Sequence, residues 1–241
     1  MNTVVIGAGG TIGGACVEYY VERGEGAVFA LDLKEPSVPG AIGFDVNVTD
    51  RESVNRVMAQ IEKEGPITAL IYAAGVNATG PVDDIDWNDY DRLMAVNLQG
   101  AFHVGAALQA ACRTTPRSAG AVFISSTAGL VGEAGGSIYV ATKFALRGFV
   151  ESFAAEMAKL GVRANTVCPG NVDSVMLTRL AEQIAHRDGT TRQTVLDQLA
   201  ASSAFNRLIT PREVAATCAW LCSDQSGGIS GQTIVVDGPP A

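Results

Sequence analysis

The sequence predicts a single α/β domain over residues 1–241, with helices on both faces of a doubly wound parallel sheet. Short apolar runs of strand length alternate with longer helix-like stretches along the whole chain. The runs lack the in-out alternation of half-exposed strands, which is typical of a parallel sheet buried on both faces. No linker, repeat or low-complexity stretch divides the chain, and its length suits one large α/β domain.

Six apolar runs account for most of the seven or so strands that we expect. Because short connections join them to the helical stretches, the pattern predicts a Rossmann-type sheet. The runs are residues 3–6, 27–31, 69–72, 121–124, 163–167 and 233–236.

Two of the intervening helices have recognisable start signals. Thr49 and Glu52 have the spacing of a capping box, in which each side chain bonds the other's backbone. Thr210, Pro211 and Glu213 supply an N-cap, a proline at the first helical position and a glutamate at the third. Both patterns predict where a helix begins.

One segment, at about residues 175–210, interrupts the strand-helix alternation. It contains no strand candidate, only amphipathic stretches at 177–184 and 195–199 around a polar turn at 186–189. Long insertions without a place in a sheet tend to be lids or binding loops. The segment is therefore predicted to be a substrate lid.

Composition excludes several classes of protein. The net charge of −8 argues against a nucleic-acid partner. No apolar run reaches the roughly 18 residues of a membrane span, and no secretory signal precedes the first strand, so a cytoplasmic location is expected. Cysteines without a second Cys/His pair predict buried reduced thiols and no metal site. They are Cys16, Cys112, Cys168, Cys218 and Cys222.

The first strand leads into a glycine-rich turn and then a helix. Such a turn lets the backbone approach a pyrophosphate, and the helix N-terminus behind it offers free N–H groups. The position at the first strand-helix junction predicts a dinucleotide site. Its members are Gly7, Gly10, Thr11, Ile12 and Gly13.

Asp32 ends the second strand, nineteen residues after Gly13. This spacing is that of the acidic residue that binds the adenosine ribose hydroxyls in NAD sites. A carboxylate there would repel a 2′-phosphate by up to ~4 kcal/mol per unit charge at ~4 Å. The sequence therefore predicts NAD, with Lys34 as the nearest cation that could favour NADP. The alternative is an aspartate that only caps a turn.

Tyr139 and Lys143 are four residues apart at the start of a predicted helix, and Ser126 lies thirteen residues before Tyr139. Spacing of i,i+4 puts the tyrosine and the lysine on one helix face. A hydride leaves a carbinol carbon only as the hydroxyl loses its proton, so a base must contact the oxygen. Tyrosine, with a pKa of ~10, needs about 3 units of lowering, which Lys143 and a cationic nicotinamide are expected to supply.

With these residues the chain resembles the short-chain dehydrogenase/reductase family over nearly its whole length. The match extends to Asn97 within residues 96–100, to the turn at 168–170 and to residues 236–238. The resemblance implies an NAD-dependent oxidoreductase that interconverts a secondary alcohol, such as a polyol or a hydroxy acid, and its ketone. It also implies that Ser126 binds the substrate oxygen, Lys143 binds the nicotinamide ribose, and Asn97 anchors a proton-relay water.

The resemblance implies further cofactor contacts along the carboxyl ends of the strands. Three departures from the family pattern occur: Thr11 replaces the usual middle glycine, the Asn-Asn-Ala-Gly turn reads Tyr72-Ala73-Ala74-Gly75, and the final Asp-Gly-Gly reads Asp237-Gly238-Pro239. The implied contacts, besides the glycine turn, Asp32, Asn97, Tyr139 and Lys143, are Asp45, Val46, Ala73, Ala74, Gly75, Pro169, Gly170, Val172 and Ser174.

Assembly and substrate are less defined. The resemblance implies a homotetramer or homodimer in which helices at 88–112 and 138–160 pack on their copies. The arginines at 179, 187 and 192 either bind an anionic substrate group or form a solvated surface. Two other functions stay open. A 3-oxoacyl thioester reductase usually prefers NADPH, against which Asp32 argues, and a non-catalytic dinucleotide sensor would not need the intact Ser/Tyr/Lys set.

Overall fold

The computed structural model describes residues 2–238. Its seven strands form one parallel sheet in the order β3-β2-β1-β4-β5-β6-β7, which confirms the predicted doubly wound fold. The order reverses between β1 and β4, where open α/β sheets bind ligands. The strands are β1 (Asn2–Ile6), β2 (Ala27–Asp32), β3 (Ile42–Asp45), β4 (Ile67–Tyr72), β5 (Ala119–Ile124), β6 (Val162–Pro169) and β7 (Thr233–Val236).

Helices cover both faces of the sheet, as predicted. Two of them, α1 and α8, pack on one face, and α2, α4 and α5 pack on the other, so each face has its own apolar core. The helices are α1 (Thr11–Arg23), α2 (Arg51–Glu64), α3 (Trp87–Leu93), α4 (Gly100–Thr114), α5 (Ser137–Ala158), α6 (Val175–Asp188), α7 (Arg192–Ala201) and α8 (Pro211–Cys222). A π-helical segment, Met94–Gln99, joins α3 to α4.

Of the two predicted helix starts, the one at Thr210 is confirmed and the one at Thr49 is not. Thr210 and Glu213 form the predicted capping box of α8, with the Thr210 backbone N–H donating to Glu213 Oε2 at 2.8 Å. The prediction of a capping box at Thr49 and Glu52 is wrong, because Asp50 is the N-cap of α2 and accepts from the Glu52 N–H at 2.9 Å. A carboxylate one residue further on is the better-placed acceptor for the first turn.

The segment after β6 folds into a helical hairpin, α6 and α7, outside the sheet. The predicted polar turn is too long: residues 186–188 continue α6, and the turn begins at Gly189, which has the left-handed φ of 65°. A small apolar cluster of Ala181, Ala185 and Val195 joins the two helices. The hairpin thus has a core of its own, apart from the two cores of the sheet.

All five cysteines are buried, as their apolar surroundings predict. Within residues 2–238, no helix has the length and apolarity to cross a bilayer. Over the same residues, no group of three or more His, Cys, Asp or Glu side chains is placed to hold a metal ion.

Candidate active site

The predicted catalytic residues meet at the carboxyl edge of the sheet, beside the point where the strand order reverses. Ser126 follows β5, and Tyr139 and Lys143 lie on the first turns of α5. Asn97 comes from the π-helical segment that precedes α4. Four positions spread over 47 residues of sequence are thereby brought to one place.

Tyr139 is half-buried beside Ser126 in this arrangement. Burial raises the pKa of Tyr139 to about 12, the charge of Glu133 raises it further, and a hydrogen bond with the Ser126 side chain acts in the opposite direction. A buried phenol is stabilised in its neutral form, because the phenolate loses its hydration. The pKa of Tyr139 was expected to be lowered by Lys143 and a cationic nicotinamide, and the protein's own groups do not supply that lowering.

Lys143 is only 4% exposed, although it carries an ammonium group. Its Nζ donates to the Ile124 carbonyl at 3.0 Å and lies 5.5 Å from the centroid of the Tyr139 ring. Burial lowers the pKa of Lys143 from 10.5 to about 8. The sequence predicted the position of the lysine but not this desolvation.

We expect Lys143→Met to reveal the desolvation as a pH-dependent difference in stability. Because the folded-state pKa of Lys143 lies below its ordinary value, the unfolded chain binds more protons between about pH 8 and 10.5. Wild type should therefore gain stability relative to the variant as pH rises through this window, by up to roughly 3 kcal/mol. Urea unfolding of both proteins at several pH values measures this, and a difference independent of pH would contradict it.

Asn97 is fully buried and holds two segments together. Its Oδ1 accepts from the Val76 N–H at 2.8 Å, and its Nδ2 donates to the Val76 carbonyl at 2.9 Å and to Thr142 Oγ1 at 3.1 Å. A Cβ built on Gly75 would lie 3.6 Å from both Asn97 Oδ1 and Lys143 Nζ, so the three residues adjoin. The π-helical segment that turns Asn97 inward is a type of irregularity often found at functional sites.

Ser125 and Thr142 complete the support of the catalytic helix. The Ser125 hydroxyl donates to the Lys143 carbonyl at 3.1 Å, so Ser125 bonds the backbone of α5. The Thr142 hydroxyl donates to the Tyr139 carbonyl at 2.7 Å while it receives the Asn97 amide. No spacing rule in the sequence indicates the role of Thr142.

A cleft of about 240 Å³, here called the glycine-loop cleft, opens beside β1 and β2. Gly10 is the N-cap of α1 and no side chain caps that helix, which leaves its N-terminal N–H groups available to an anion. A Cβ on Gly13 would lie 2.1 Å from the Gly7 carbonyl oxygen, so the loop depends on glycine there. An uncapped helix end beside a cleft fits the pyrophosphate of a dinucleotide.

The other residues predicted to bind a cofactor divide between this cleft and a second cavity. Gly7, Gly10, Asp32, Val46, Ala73, Ala74 and Gly75 line the glycine-loop cleft. Ile12, Pro169, Gly170, Val172 and Ser174 line the second cavity instead. Thr11, Gly13, Asp45, Asn97 and Lys143 line neither. The cleft also has walls that the sequence analysis missed, all directly after strand ends or beside Asn97: Leu33, Asn47, Val48, Val76 and Val96.

Asp32 lies at the edge of the glycine-loop cleft with both carboxylate oxygens bonded to backbone. Oδ2 accepts from the Gly9 N–H at 2.8 Å and Oδ1 from the Leu33 N–H at 2.7 Å. The aspartate therefore does cap a turn, as the alternative interpretation supposed. The same carboxylate also faces the cleft, so the two interpretations are compatible.

The second cavity, here called the Tyr139 cavity, measures about 520 Å³. Ser126 and Tyr139 lie on one side of it, and the turn after β6 lies on another. The α6–α7 hairpin supplies a third wall through Met176, Leu177, Leu180, Ile184 and Leu199. The interrupting segment thus lines the cavity that contains the predicted catalytic residues Ser126 and Tyr139.

Known proteins match nearly the whole length of this chain. A family model described as enoyl-(acyl carrier protein) reductase matches residues 11–238. The short-chain reductase protein NovJ of Streptomyces niveus is 30% identical, over 98% of this chain and 92% of its own length. The 3-oxoacyl-(acyl-carrier-protein) reductase FabG of Thermotoga maritima is 28% identical, over 98% and 95%.

A solved structure shares the whole architecture. Aldohexose dehydrogenase of Thermoplasma acidophilum, in ligand-free form, superposes with a TM-score of 0.90 at 28% identity. The match covers 98% of this chain and 91% of that one. The similarity therefore extends from the glycine-rich turn through the α6–α7 hairpin to the last strand.

Proposed function

We propose, since this chain belongs to the short-chain dehydrogenase/reductase family of oxidoreductases, that it interconverts a secondary alcohol and its ketone with NAD as the hydride carrier. One arrangement carries the proposal. Ser126 and Tyr139 line the Tyr139 cavity together, while the Lys143 ammonium lies 5.5 Å behind the tyrosine ring. A carbonyl oxygen held between the two hydroxyls would meet a hydrogen-bond donor and a proton donor at once.

Each residue has a separate task in this chemistry. The Ser126 hydroxyl donates to the substrate oxygen and orients it, and the Tyr139 hydroxyl transfers the proton. Lys143 keeps a positive charge close to the oxygen that gains or loses the proton. Asn97 fixes the turn around Gly75 and, as the family resemblance implies, anchors the proton relay to solvent.

A bound nicotinamide dinucleotide would supply the hydride donor or acceptor. At neutral pH, Tyr139 with a pKa of about 12 is protonated, which suits it to donate a proton to the oxygen as a ketone is reduced. The reverse reaction needs the phenolate, so alcohol oxidation requires additional positive charge near Tyr139, such as that of an oxidised nicotinamide ring.

A second function, reduction of 3-oxoacyl thioesters, is favoured by the FabG relative. Cofactor charge distinguishes the two proposals. Asp32 at the edge of the glycine-loop cleft supports NAD, whereas thioester reductases of this family usually use NADPH. The third possibility, a sensor without turnover, is disfavoured because Ser126, Tyr139 and Lys143 are all present and adjacent.

The test is a panel of ketones and alcohols assayed by nicotinamide absorbance with NADH and NADPH in parallel. The proposal expects turnover of simple ketones with NADH. A preference for NADPH together with turnover of 3-oxoacyl thioesters alone would move the second function to first place. Dinucleotide binding without turnover of any member would support the sensor.

We also propose that the α6–α7 hairpin acts as a lid over the Tyr139 cavity. Asn171 connects the hairpin to the turn after β6, because its Nδ2 donates to the Leu199 carbonyl at 3.0 Å and to Ser202 Oγ at 3.2 Å. Asn171 follows the Pro169–Gly170 turn. The hairpin is therefore attached directly to a segment that the family resemblance assigns to the nicotinamide.

We propose that the chain assembles through α4 and α5. An apolar groove between these helices includes Phe102, which is 50% exposed, and Phe149, whose ring centroid lies 4.1 Å away. Small residues in the groove, Ala106, Ala145 and Gly148, allow close helix approach. A second copy that presents the same face would bury both rings.

We expect a dimer or tetramer by light scattering at micromolar concentration, and Phe102→Glu should shift it to smaller species because a charge would enter the contact. Val82→Glu, at an exposed apolar residue outside the groove, is the matched control and should leave the mass unchanged. A monomeric wild type would overturn this mode of assembly.

A further inference from the structure

Acidic side chains outnumber basic ones on the wall of the Tyr139 cavity. Three charged side chains lie on its wall in the described part of the chain: Glu133, Arg187 and Asp237. Arg187 is already paired, because its Nε and NH2 groups donate to the two carboxylate oxygens of Asp188 at 2.7 and 3.1 Å. The wall of the cavity therefore carries two carboxylates and one cation, and that cation is already paired with Asp188.

Neither carboxylate has a cationic partner among residues 2–238. All eight ion pairs found there involve other acids. Asp237 accepts a backbone N–H from Gly238 at 2.8 Å and packs over Gly170, so its carboxylate is held in the turn. Glu133 is an exposed residue on the loop before α5, and it lines the cavity together with Tyr139.

The field of Glu133 reaches the reacting hydroxyl. Its charge is among the causes that raise the pKa of Tyr139. A charge near enough to disfavour the tyrosinate would also disfavour an anionic group on a substrate whose carbonyl contacts Tyr139. The remaining arginines of the hairpin do not offset it, because Arg192 pairs with Glu182 at 3.0 Å and Arg179 does not line the cavity.

The opposite wall is aliphatic. Met176, Leu177, Leu180 and Ile184 on α6, with Leu199 on α7, face the cavity. An aliphatic substituent would be removed from water there, whereas an anionic one would lose hydration without a free cation to pair with.

We propose that the Tyr139 cavity accepts ketones and secondary alcohols whose remaining substituent is aliphatic and uncharged or cationic, and that Glu133 is the residue that excludes anionic substrates. This inference rests on the proposed redox function and narrows its substrate class. Hydroxy acids, sugar phosphates and acyl groups on an anionic carrier are disfavoured on this ground. Of the two interpretations of the hairpin arginines, this proposal favours the solvated surface over the anion-binding one.

The experiment uses three methyl ketones of equal chain length that end in a carboxylate, a methyl ester or a trimethylammonium group. Each is reduced with NADH by wild type, Glu133→Gln and Glu64→Gln, the last being a matched charge removal at an exposed residue at the end of α2. We expect wild type to favour the ester over the carboxylate by about 10-fold or more in kcat/KM, which corresponds to about 1.4 kcal/mol. Glu133→Gln should remove most of that ratio by improving the carboxylate, and Glu64→Gln should leave it unchanged.

The outcomes distinguish a failure of the proposed redox function from a failure of the proposed charge selection. If no ketone of any charge is reduced, the redox function itself fails. If the ester is reduced but the carboxylate is reduced equally well or better by wild type, the charge selection is wrong while the redox function stands. If discrimination exists but survives in Glu133→Gln, the excluding charge is not Glu133. Added salt should weaken a genuine Glu133 effect, because the side chain is exposed.

Discussion

Tyr139→Phe is expected to lower turnover by ~10²–10⁴ while leaving NAD binding nearly intact, which is the range for loss of a general acid or base. The change removes one oxygen and no packing surface. In wild type the Tyr139 ring lies 5.5 Å from Lys143 and beside Ser126. A phenylalanine ring has the same shape, so we expect the variant to keep the shape of the cavity and to lose only the proton donor.

Steady-state assays of ketone reduction with NADH measure the loss, and calorimetric titration of NAD measures binding. The matched control is Tyr90→Phe, which removes the same oxygen from a partly exposed tyrosine on α3. It should retain wild-type turnover. Near-wild-type turnover in Tyr139→Phe would show that another group moves the proton, and the proposed mechanism would be abandoned.

Apolar runs predicted the strands that the sheet buries on both faces, and they also predicted the edge strand β7, whose run TIVV stands out although its residues are partly or fully exposed. In β1, β4 and β5 nearly every residue is buried, so their apolar runs stand out in the sequence. The edge strand β3, with the sequence IGFD, is partly or fully exposed throughout and contains a glycine. It has no apolar run to detect, and the family resemblance implied Asp45 only as a cofactor contact.

Local signals were reliable where backbone and side chain cooperate. At α8 the threonine, proline and glutamate all favour the same helix start, and the structure has it. At α2 two acceptors, Thr49 and Asp50, compete within one residue, and spacing alone does not decide between them. The end of α6 was placed too early because polar residues at 186–188 suit a helix's last turn as well as a loop.

The candidate site also has features that the sequence could predict and features that it could not. Residue types and spacing identified Ser126, Tyr139 and Lys143, since i,i+4 geometry follows from the helix itself. They did not indicate how deeply these groups are buried, and the pKa of Tyr139 is therefore raised where a lowered one was expected. Burial depends on the packing of distant segments, including the α6–α7 hairpin, and no local pattern encodes it.

The second large effect is expected for the choice between NAD⁺ and NADP⁺, because a single side chain, that of Asp32, governs this choice. If Asp32 accepts hydrogen bonds from the adenosine ribose hydroxyls, wild type should favour NAD⁺ over NADP⁺ by at least ~10²-fold in kcat/KM. That ratio equals about 2.7 kcal/mol, which charge-assisted hydrogen bonds and repulsion of a 2′-phosphate can supply together. Kinetics with both cofactors at equal substrate concentration measure the ratio directly.

Asp32→Ala should lose NAD⁺ efficiency and gain NADP⁺ efficiency, since one change removes an attraction and a repulsion. Part of the loss will be structural, because Asp32 also holds the Gly9 and Leu33 N–H groups at 2.8 and 2.7 Å. Asp32→Asn separates the two effects: it retains one acceptor oxygen for the loop and abolishes the charge. Its gain with NADP⁺ reports electrostatics alone, and Lys34→Ala added to it should cancel part of that gain. NADP⁺ preference in wild type would mean that the carboxylate serves only the glycine loop, and thioester reduction would become the leading function.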